Sequence, residues 1–417
     1  MKDPKEIKIE DYNYNLPKEK IAQFPLEERD ASRVLIYKDK EISETIFKDI
    51  SDNLPDGSFL ILNNTKVIQA RLFFYKETGA MIEIFCLEPH HPEQNISAKG
   101  SAVWKCFVGN AGKWKYGPLI KIFTHNSKEY ELSAEILERE KDYFIINFDW
   151  SNNNISFGDI LLHTGRTPLP PYIRREPVRI DTDRYQTVYA EIDGSVAAPT
   201  AGLHFTENVF KKIKKKNIYI HHVTLNVGAG TFKPVKCEKI EDHPMHYEHI
   251  TVSKDFVIKL LNNLNKPVIA AGTTSLRTIE TLYWLGLKLH LNLLPNQDAL
   301  NVDQWEPYTL DSSISAMESL EVILKFMDKS GMDYITAQTG ILIAPGYDFK
   351  FIDILITNFH LPKSTLLLLI AAFTGIDWKR IYEYALENNF RFLSYGDASL
   401  LRRQSSIVNL QTSMKNN

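Results

Sequence analysis

The sequence is poor in cysteine, and it lacks both a long apolar run and a strong charge of one sign. Its three cysteines, Cys86, Cys106 and Cys237, have neither pairing nor metal-type spacing. This scarcity argues against a disulfide-stabilised secreted fold and suits a reducing compartment. The longest apolar run, 366–373, is far too short to cross a bilayer, so we expect no membrane contact.

The net charge of −3 at pH 7 gives no general attraction for nucleic acid, so any RNA contact must rest on a local basic patch. The chain is charged from Lys2 onward and shows no apolar signal region, which predicts a cytoplasmic protein. Its 44% apolar and 24% charged residues are typical of a globular enzyme. A length of 417 residues predicts two domains.

The middle of the chain differs in pattern from both flanks. Residues 70–153 contain short period-two strands separated by Gly, Asn and Lys turns, which predicts a small antiparallel β-barrel. The flanks, 1–69 and 154–417, combine apolar strands with helical segments and predict one discontinuous α/β domain with a mixed or parallel sheet. The predicted strands are 34–37, 59–62, 81–88, 104–109, 119–124, 143–150, 218–227, 267–272 and 353–359, and the predicted helices are 275–285, 313–327 and 364–373, each with a serine near its start as an N-cap.

Five loops outside the core-forming patterns are rich in small residues and bear histidine, threonine or arginine. Small residues let a backbone approach a ligand closely, and histidine exchanges protons near neutral pH. We therefore predict one composite enzyme site. The loops are AAPTAGLHF (197–205), LNVGAGTFKPV (225–235), HPMHYEH (243–249), AAGTTSLRT (270–278) and ITNFHLPKST (356–365).

These loops, together with NNTKVIQARL (63–72), RTPLPPYI, DRYQTVYA and YGDAS, carry a resemblance that covers most of the chain. The set resembles the S-adenosylmethionine:tRNA ribosyltransferase-isomerase family of queuosine biosynthesis. Several of the motifs are eight or more residues long, and their order matches the family. The resemblance implies an α/β domain with an inserted β-barrel, in agreement with the pattern above.

The resemblance also implies a reaction. Family members move the ribosyl carbons of S-adenosylmethionine onto the aminomethyl group of a deazaguanine in tRNA, and adenine and methionine leave. The sulfonium acidifies the hydrogens of the adjoining 5′ carbon, so a base is needed there, and an acid near adenine would help it leave. No metal and no cofactor beyond S-adenosylmethionine as co-substrate is implied. The expected partners are S-adenosylmethionine and precursor-bearing tRNA, and we expect a monomer.

Histidines are the first candidates for these proton transfers. Each could instead be a hydrogen-bonded structural residue, and that alternative is favoured for His249, while His221 and His222 lie in a strand pattern and are expected to pack. Asp397 in YGDAS is the preferred candidate for the acid or for a contact to a ribose hydroxyl. The predicted catalytic residues are His204, His243, His246, Glu248, His360 and Asp397.

The start of a predicted helix offers an anion site. Free N–H groups and the helix dipole there would suit the methionyl carboxylate or an RNA phosphate, and Arg277 could add a bidentate contact. The alternative is simple N-capping by Ser275, and Ser364 is expected to cap its own helix. The predicted substrate-binding residues are Thr200, Gly202, Gly228, Gly230, Thr231, Thr273, Thr274, Ser275, Arg277, Asn358, Tyr185 and Gln186.

The segment RTPLPPYIRR is rigid and basic. Prolines hold its backbone, and its cations with a tyrosine could hold an RNA backbone or a splayed base; a connector between domains is the alternative. Tyr185 and Gln186 could likewise pack in the core, and KKIKKK (211–216) is expected to be a solvated helix face. The predicted RNA-binding residues are Arg166, Tyr172, Arg174 and Arg175.

The sequence departs from the family pattern in places. Asn226 and Arg166 stand where histidine is expected, Tyr247 replaces a serine and Ser399 replaces a methionine. About 287–334 is an added segment, with an amphipathic helix predicted in SISAMESLEVILKFM. A diverged S-adenosylmethionine-dependent paralogue with another RNA target is therefore an alternative.

Two other classes remain as alternatives. A metal-dependent hydrolase could use His243, His246 and Glu248 or His249 as zinc ligands, but the proline inside HPMHYEH does not fit a helical two-histidine motif. A non-catalytic RNA-binding protein would bind tRNA without releasing adenine from S-adenosylmethionine.

Overall fold

A computed structural model describes residues 4–91, 94–228, 235, 237–294 and 300–403. The chain forms two compact units. The first consists of Met1–Asn63, Thr200–Val223 and Pro234–Asn417, and the second of Asn64–Pro199 and Thr224–Lys233. The second unit is wider than the predicted insertion at 70–153, because it also contains the chain up to Pro199 and a short return.

Strands and helices are interspersed along the described residues. The strands are β1 (Arg33–Lys38), β2 (Glu41–Ile46), β3 (Phe59–Asn63), β4 (Thr65–Val67), β5 (Arg71–Tyr75), β6 (Met81–Pro89), β7 (Ser101–Gly109), β8 (Leu119–His125), β9 (Lys128–Arg139), β10 (Phe144–Trp150), β11 (Gly165–Arg166), β12 (Ile192–Ser195), β13 (Tyr219–Asn226), β14 (Glu248–Ser253), β15 (Val268–Ala271), β16 (Asn301–Val302), β17 (Tyr334–Thr339), β18 (Ile354–Asn358) and β19 (Ala398–Arg402). The α-helices are α1 (Phe157–Thr164), α2 (Arg179–Arg184), α3 (Glu207–Lys215), α4 (Lys254–Leu261), α5 (Thr273–His290), α6 (Glu306–Thr309), α7 (Ala316–Ser330), α8 (Thr365–Thr374) and α9 (Trp378–Glu387).

A large mixed sheet organises the first unit. Its described strands have the order β16-β17-β14-β13-β3-β15-β18-β19-β1-β2. β13, β3, β15 and β18 are parallel, and every residue of β3, β15 and β18 is buried. Their nearly continuous apolar sequences suit strands covered on both faces. The carboxyl ends of these strands share one edge of the sheet, which is where ligands bind in open α/β sheets.

α5 is the central helix of this unit. Every residue from Ser275 to Lys288 is buried, as expected of a helix covered on all sides. It packs closely against α7, since a Cβ atom at Gly286 would lie 2.3 Å from the Ser319 carbonyl oxygen. α7 begins with a capping box formed by Ser315 and Glu318. The added segment therefore contributes a helix packed directly on α5.

The second unit is built on a curled antiparallel sheet with the order β11-β5-β6-β7-β10-β9-β8. Burial alternates along β6 and β7, which places their apolar side chains on one face. Cys86 and Cys106 are opposite each other in these strands, and both are buried. Lys121 of β8 donates a 2.8 Å hydrogen bond to the carbonyl of Thr164, and this contact attaches α1 to an edge of the sheet.

The predicted elements were confirmed to within a few residues where the period was clear. The alternating segments of the second unit are strands, and the apolar segments 59–62, 267–272 and 353–359 coincide with β3, β15 and β18. Ser364 caps α8 as predicted. Two helix starts were wrong. α5 begins at Thr273 rather than Ser275, and α7 begins at Ala316 rather than 313.

Candidate active site

His204 lies at the centre of a buried hydrogen-bond network. It ends a short 3-10 helix, Thr200–His204, and only 5% of its surface is exposed. Its Nδ1 is 2.8 Å from Ser32 Oγ, and its Nε2 is 3.2 Å from Asn358 Nδ2. Asn358 Oδ1 accepts a 2.8 Å hydrogen bond from Thr200. With this amide orientation, Nε2 of His204 is the acceptor, so Nδ1 carries the proton and donates to Ser32.

The surroundings keep this imidazole neutral. Burial, helped by the nearby cations Arg391 and Arg29, lowers the pKa of His204 from 6.5 to about 4, although a hydrogen bond with the Arg29 backbone opposes the shift. The ring also packs against Phe47 at a centroid distance of 5.0 Å. At neutral pH His204 can therefore accept a proton but has none to give from Nε2.

Asp397 adjoins the same network just before β19. The Asn358 amide donates to its main-chain oxygen at 3.5 Å. Its carboxylate accepts backbone N–H bonds from Arg33 at 3.1 Å and from Arg391 at 2.8 Å. Burial raises the pKa of Asp397, although these donors and the Arg391 side chain oppose the shift. We call Ser32, Thr200, His204, Asn358 and Asp397 the His204 cluster.

The His204 cluster lies beside the start of α5. Gly272 precedes that helix with φ of +92°, a conformation that side chains rarely adopt. Its N–H bonds to the Ile356 carbonyl at 2.8 Å, and a Cβ atom there would be 3.8 Å from the Ala201 Cβ. The structure therefore brings together the loops 197–205, 270–278 and 356–365, which the sequence placed in one site.

A second cluster joins the HPMHYEH loop to α5. Glu248 and Arg277, 2% and 7% exposed, form a buried ion pair, and His246 Nε2 lies 3.9 Å from Glu248 Oε1. Arg277 Nε donates to the Ile341 carbonyl at 3.3 Å. In the described part of the chain, its buried Nη2 has no hydrogen-bond partner. We call His243, His246, Glu248 and Arg277 the Arg277 cluster.

His243 is half-buried at the start of this loop. Burial lowers the pKa of His243, and the neighbouring His246 lowers it further. Both histidines are more exposed than His204.

The first turn of α5 supplies further polar groups. The Ser275 hydroxyl is fully buried and donates to the Ala271 carbonyl at 2.9 Å, so the alternative of N-capping by Ser275 is wrong. Gly272 is the N-cap and offers no side chain. Thr274 Oγ1 is buried without a hydrogen-bond partner among the described residues. Thr273 is the first residue of the helix, and its side chain is buried. A ligand anion would find backbone N–H groups and the Thr274 hydroxyl at this position.

His360 is held separately by two tyrosines. Its N–H donates to the Tyr382 hydroxyl at 3.1 Å, and its carbonyl accepts from the Tyr14 hydroxyl. Its ring nitrogens lie 3.5 Å from the Tyr382 hydroxyl and 3.3 Å from Thr357 Oγ1. Burial lowers the pKa of His360 to about 3, so this ring is also neutral.

The predicted RNA-binding residues belong to the second unit and differ from one another. Arg175 forms a bidentate pair with the fully buried Asp181 at 2.6 and 2.8 Å, which is a structural contact. Arg166 is exposed, pairs with Glu176 at 3.5 Å and lies over the Phe73 ring. Arg174 is exposed and Tyr172 is half-buried.

The remaining predicted substrate contacts are distributed over both units. Gln186 uses its amide to bind both the N–H and the carbonyl of Val67, at 2.9 and 3.2 Å. Tyr185 and Gly202 are buried, and Gly228 is half-buried. Gly230 and Thr231 lie outside the described residues.

Several residues in these clusters had no signal in the sequence. Ser32, Tyr14 and Tyr382 lie outside the motifs, and their contacts with His204 and His360 span 172, 346 and 22 positions of the chain. Only the fold brings them to the histidines. His221, expected to pack, stacks on Phe59 at 4.1 Å.

Two general findings concern the described residues alone. They include no group of three or more histidine, cysteine or carboxylate side chains arranged to hold a metal ion. They also include no helix with the length and apolar character needed to cross a membrane.

Comparison with known proteins gives consistent matches over most of the chain. The family model described as queuosine biosynthesis protein matches residues 9–401. S-adenosylmethionine:tRNA ribosyltransferase-isomerases from Thermotoga petrophila and a Sulfurihydrogenibium species are each 39% identical over 401 residues, covering 95% of this chain and 100% of the relative. The enzyme of that name from Legionella pneumophila is 38% identical over 397 residues, covering 94% of this chain and 99% of its own.

A solved structure is also similar to the chain. The crystal structure of the S-adenosylmethionine tRNA ribosyltransferase from Thermotoga maritima matches with 29% identity and a TM-score of 0.44, covering 93% of this chain and 99% of that one. From the family model and the full-length relatives, the chain belongs to the queuosine biosynthesis protein family.

Proposed function

We propose that this protein transfers and isomerises the ribosyl moiety of S-adenosylmethionine onto 7-aminomethyl-7-deazaguanine in tRNA, giving epoxyqueuosine and releasing adenine and methionine. The observation that carries the proposal is the 39% identity, over 95% of the chain, to relatives named for this activity. The match covers 100% of the length of those relatives.

The histidines of the first unit are the candidates for the proton transfers. Removal of a proton from the 5′ carbon beside the sulfonium needs a neutral base, and burial keeps His204 and His360 neutral at physiological pH. His243 and His246 lie beside Glu248 in the Arg277 cluster. We propose that the four histidines, with Glu248 and Asp397, perform the proton transfers, a kind of step worth about 100- to 10,000-fold each.

Binding of the methionyl carboxylate is assigned to the start of α5. Thr273, Thr274 and Ser275 begin this helix, and the N-terminal end of a helix attracts anions. Two buried groups support this assignment, because they have no hydrogen-bond partner among the described residues: Thr274 Oγ1 and Arg277 Nη2. A carboxylate there would satisfy buried donors that otherwise carry a desolvation penalty.

The remaining contacts complete the proposed site. Thr200, Gly202 and Asn358, with Gly228, Gly230 and Thr231, would surround the adenosyl group. Tyr185 and Gln186 would line the deazaguanine pocket. Arg166, Tyr172 and Arg174 would hold tRNA, and Arg175 would support them through Asp181.

The domain boundaries, compartment and oligomeric state of the protein are also proposed. We propose an α/β catalytic domain at 1–69 and 154–417 interrupted by a β-barrel domain at 70–153. We also propose a cytoplasmic monomer that needs no metal and no cofactor besides S-adenosylmethionine, with tRNA as its macromolecular partner.

The deciding experiment is mass spectrometry of nucleosides. Precursor-bearing tRNA is incubated with the enzyme and S-adenosylmethionine, then digested, and free adenine is quantified in parallel. The proposal expects the epoxycyclopentanediol nucleoside together with adenine. A nucleoside that gains only a methyl group, or tRNA binding without adenine release, would refute it.

A further inference from the structure

A glutamine side chain of the added segment bonds the HPMHYEH loop at two points. Gln304 lies between β16 and α6. Its Nε2 donates to the His243 carbonyl at 2.8 Å, and its Oε1 accepts from the Met245 N–H at 2.9 Å. One residue of a neighbouring parallel strand makes this same pair of bonds to positions i and i+2. The amide therefore holds the loop as a strand would, at the point where the loop has no strand partner in the described residues.

Gln304 is itself tied to α5. Lys288, near the end of that helix and 4% exposed, pairs with Glu306 at 2.6 Å and donates to the Asn301 carbonyl at 2.8 Å. The other carboxylate oxygen of Glu306 accepts the Asp303 N–H at 2.7 Å. These contacts fix the backbone on both sides of Gln304 to the central helix.

The same segment also reaches the middle of the loop. Tyr247 donates a 2.5 Å hydrogen bond to Asp303, and this contact raises the pKa of Tyr247 to about 12. The far end of the loop is fixed by the ion pair between Glu248 and Arg277. Both ends of HPMHYEH are thus connected to α5. One end is connected through Arg277, and the other through the added segment and Lys288.

We infer that Gln304 is a positioning residue for the reaction, which holds the backbone of 243–245 so that His243 and His246 keep a fixed orientation beside Glu248. This inference rests on the proposed function. It gives the added segment, 287–334, a role in the active site of this chain. Misplacing a reacting group by about 1 Å can cost a factor of about 100 in rate. Loss of the two Gln304 hydrogen bonds should therefore lower the rate measurably.

The test combines kinetics with hydrogen exchange on the full-length protein. Gln304→Ala is expected to lower kcat for adenine release about tenfold, with the KM for S-adenosylmethionine changed less than about threefold. Exchange of the Met245 amide hydrogen should speed up in the same variant, because its acceptor is gone. Gln304→Glu keeps an acceptor for Met245 but loses the donor to His243, so it should retain the protection and recover part of kcat. This variant also preserves side-chain volume should the alanine variant fail to fold.

The matched control is Gln94→Ala. Gln94 also accepts a backbone N–H through its amide, from Val103 at 3.1 Å, but in the second unit. It should leave kcat unchanged. Wild-type kcat in Gln304→Ala, unaltered exchange at Met245, or an equal loss of kcat in Gln94→Ala would each overturn the inference. A wild-type protein that releases no adenine would instead refute the proposed function. The hydrogen-exchange measurement would still test whether Gln304 holds the loop.

Discussion

The two clusters of the first unit are organised by different physics. In the His204 cluster, four neutral groups satisfy one another: a hydroxyl, an imidazole, an amide and a second hydroxyl form a continuous chain of hydrogen bonds, while the Asp397 carboxylate beside them is held by backbone N–H groups. In the Arg277 cluster, full charges of opposite sign meet in a buried pair, and one guanidinium nitrogen has no partner among the described residues.

This difference separates two tasks. A neutral chain of donors and acceptors allows one tautomer and one amide orientation, so it fixes direction without attracting charged ligands. A buried cation with an unfilled donor can bind an anion at a defined point. The comparison therefore associates the His204 cluster with orientation of uncharged groups and the Arg277 cluster with recognition of charge.

The largest effect should come from breaking the ion pair. Glu248→Gln removes the charge that neutralises Arg277 while preserving shape. Removing one partner of a buried pair leaves an uncompensated charge, so we expect a loss of about 3–5 kcal/mol in the free energy of unfolding. Urea denaturation measures this. Asp255→Asn is the control, because Asp255 pairs with Lys259 in an exposed pair, and it should be nearly silent. If Glu248→Gln lost less than about 1 kcal/mol in the free energy of unfolding, the ion pair would behave as an exposed one, and the difference between the two clusters would be contradicted.

The His204 ring should contribute to the pH dependence of stability. The pKa of His204 is about 4 in the folded protein against 6.5 ordinarily. Above pH 6.5 the ring is neutral in both states and costs nothing. Below it, only the unfolded chain takes up the proton, so stability falls until the pH reaches the folded value. We expect about 1.4 kcal/mol per pH unit from this group across the window, or about 3 kcal/mol in all.

The variant His204→Gln isolates this contribution. Urea denaturation of wild type and variant at several pH values between 6.5 and 4 should give a shallower decline for the variant. Parallel curves would mean that His204 titrates normally in the folded protein.

Local patterns in the sequence predicted nine of the strands and three of the α-helices that the structure describes. Continuous apolar runs between turn residues predicted strands such as 59–62 and 353–359. Helix starts were harder to predict, because Ser275 has the chemistry of a cap, yet its hydroxyl bonds back to the carbonyl of Ala271, the last residue of β15. A residue able to cap a helix can equally bond the preceding turn, and only the backbone decides between these uses.

The candidate site was predictable only in part. The motifs identify His204, Asn358 and Gly272 as members of loops, and the parallel strands bring those loops to one edge. Ser32 and Gln304 could not be predicted, because each contacts its histidine loop across many intervening residues and lies in no motif. Long-range side-chain contacts depend on packing that periodicity does not encode.

Removing one end of the neutral chain should have a moderate effect. Ser32→Ala removes the hydroxyl that accepts from Nδ1–H of His204, and the loss of a partner of a buried donor costs about 1–3 kcal/mol. Thermal or urea unfolding measures the change. Ser43→Ala is the control, because Ser43 is exposed on β2 of the same sheet. Equal stability of the two variants would indicate that the 2.8 Å contact contributes nothing.

The smallest expected effect is on the rate of adenine release when His204 itself is replaced. His204→Ala should lower adenine release at least about tenfold, equivalent to about 1.4 kcal/mol, if the ring accepts a proton or holds Asn358 in place. His290→Ala is the control, since His290 is exposed at the end of α5. Release at the wild-type rate would remove His204 from the proposed catalytic set. A loss that His204→Gln partly restores would favour the orienting role, because an amide can bond Ser32 and Asn358 but cannot act as a base at neutral pH.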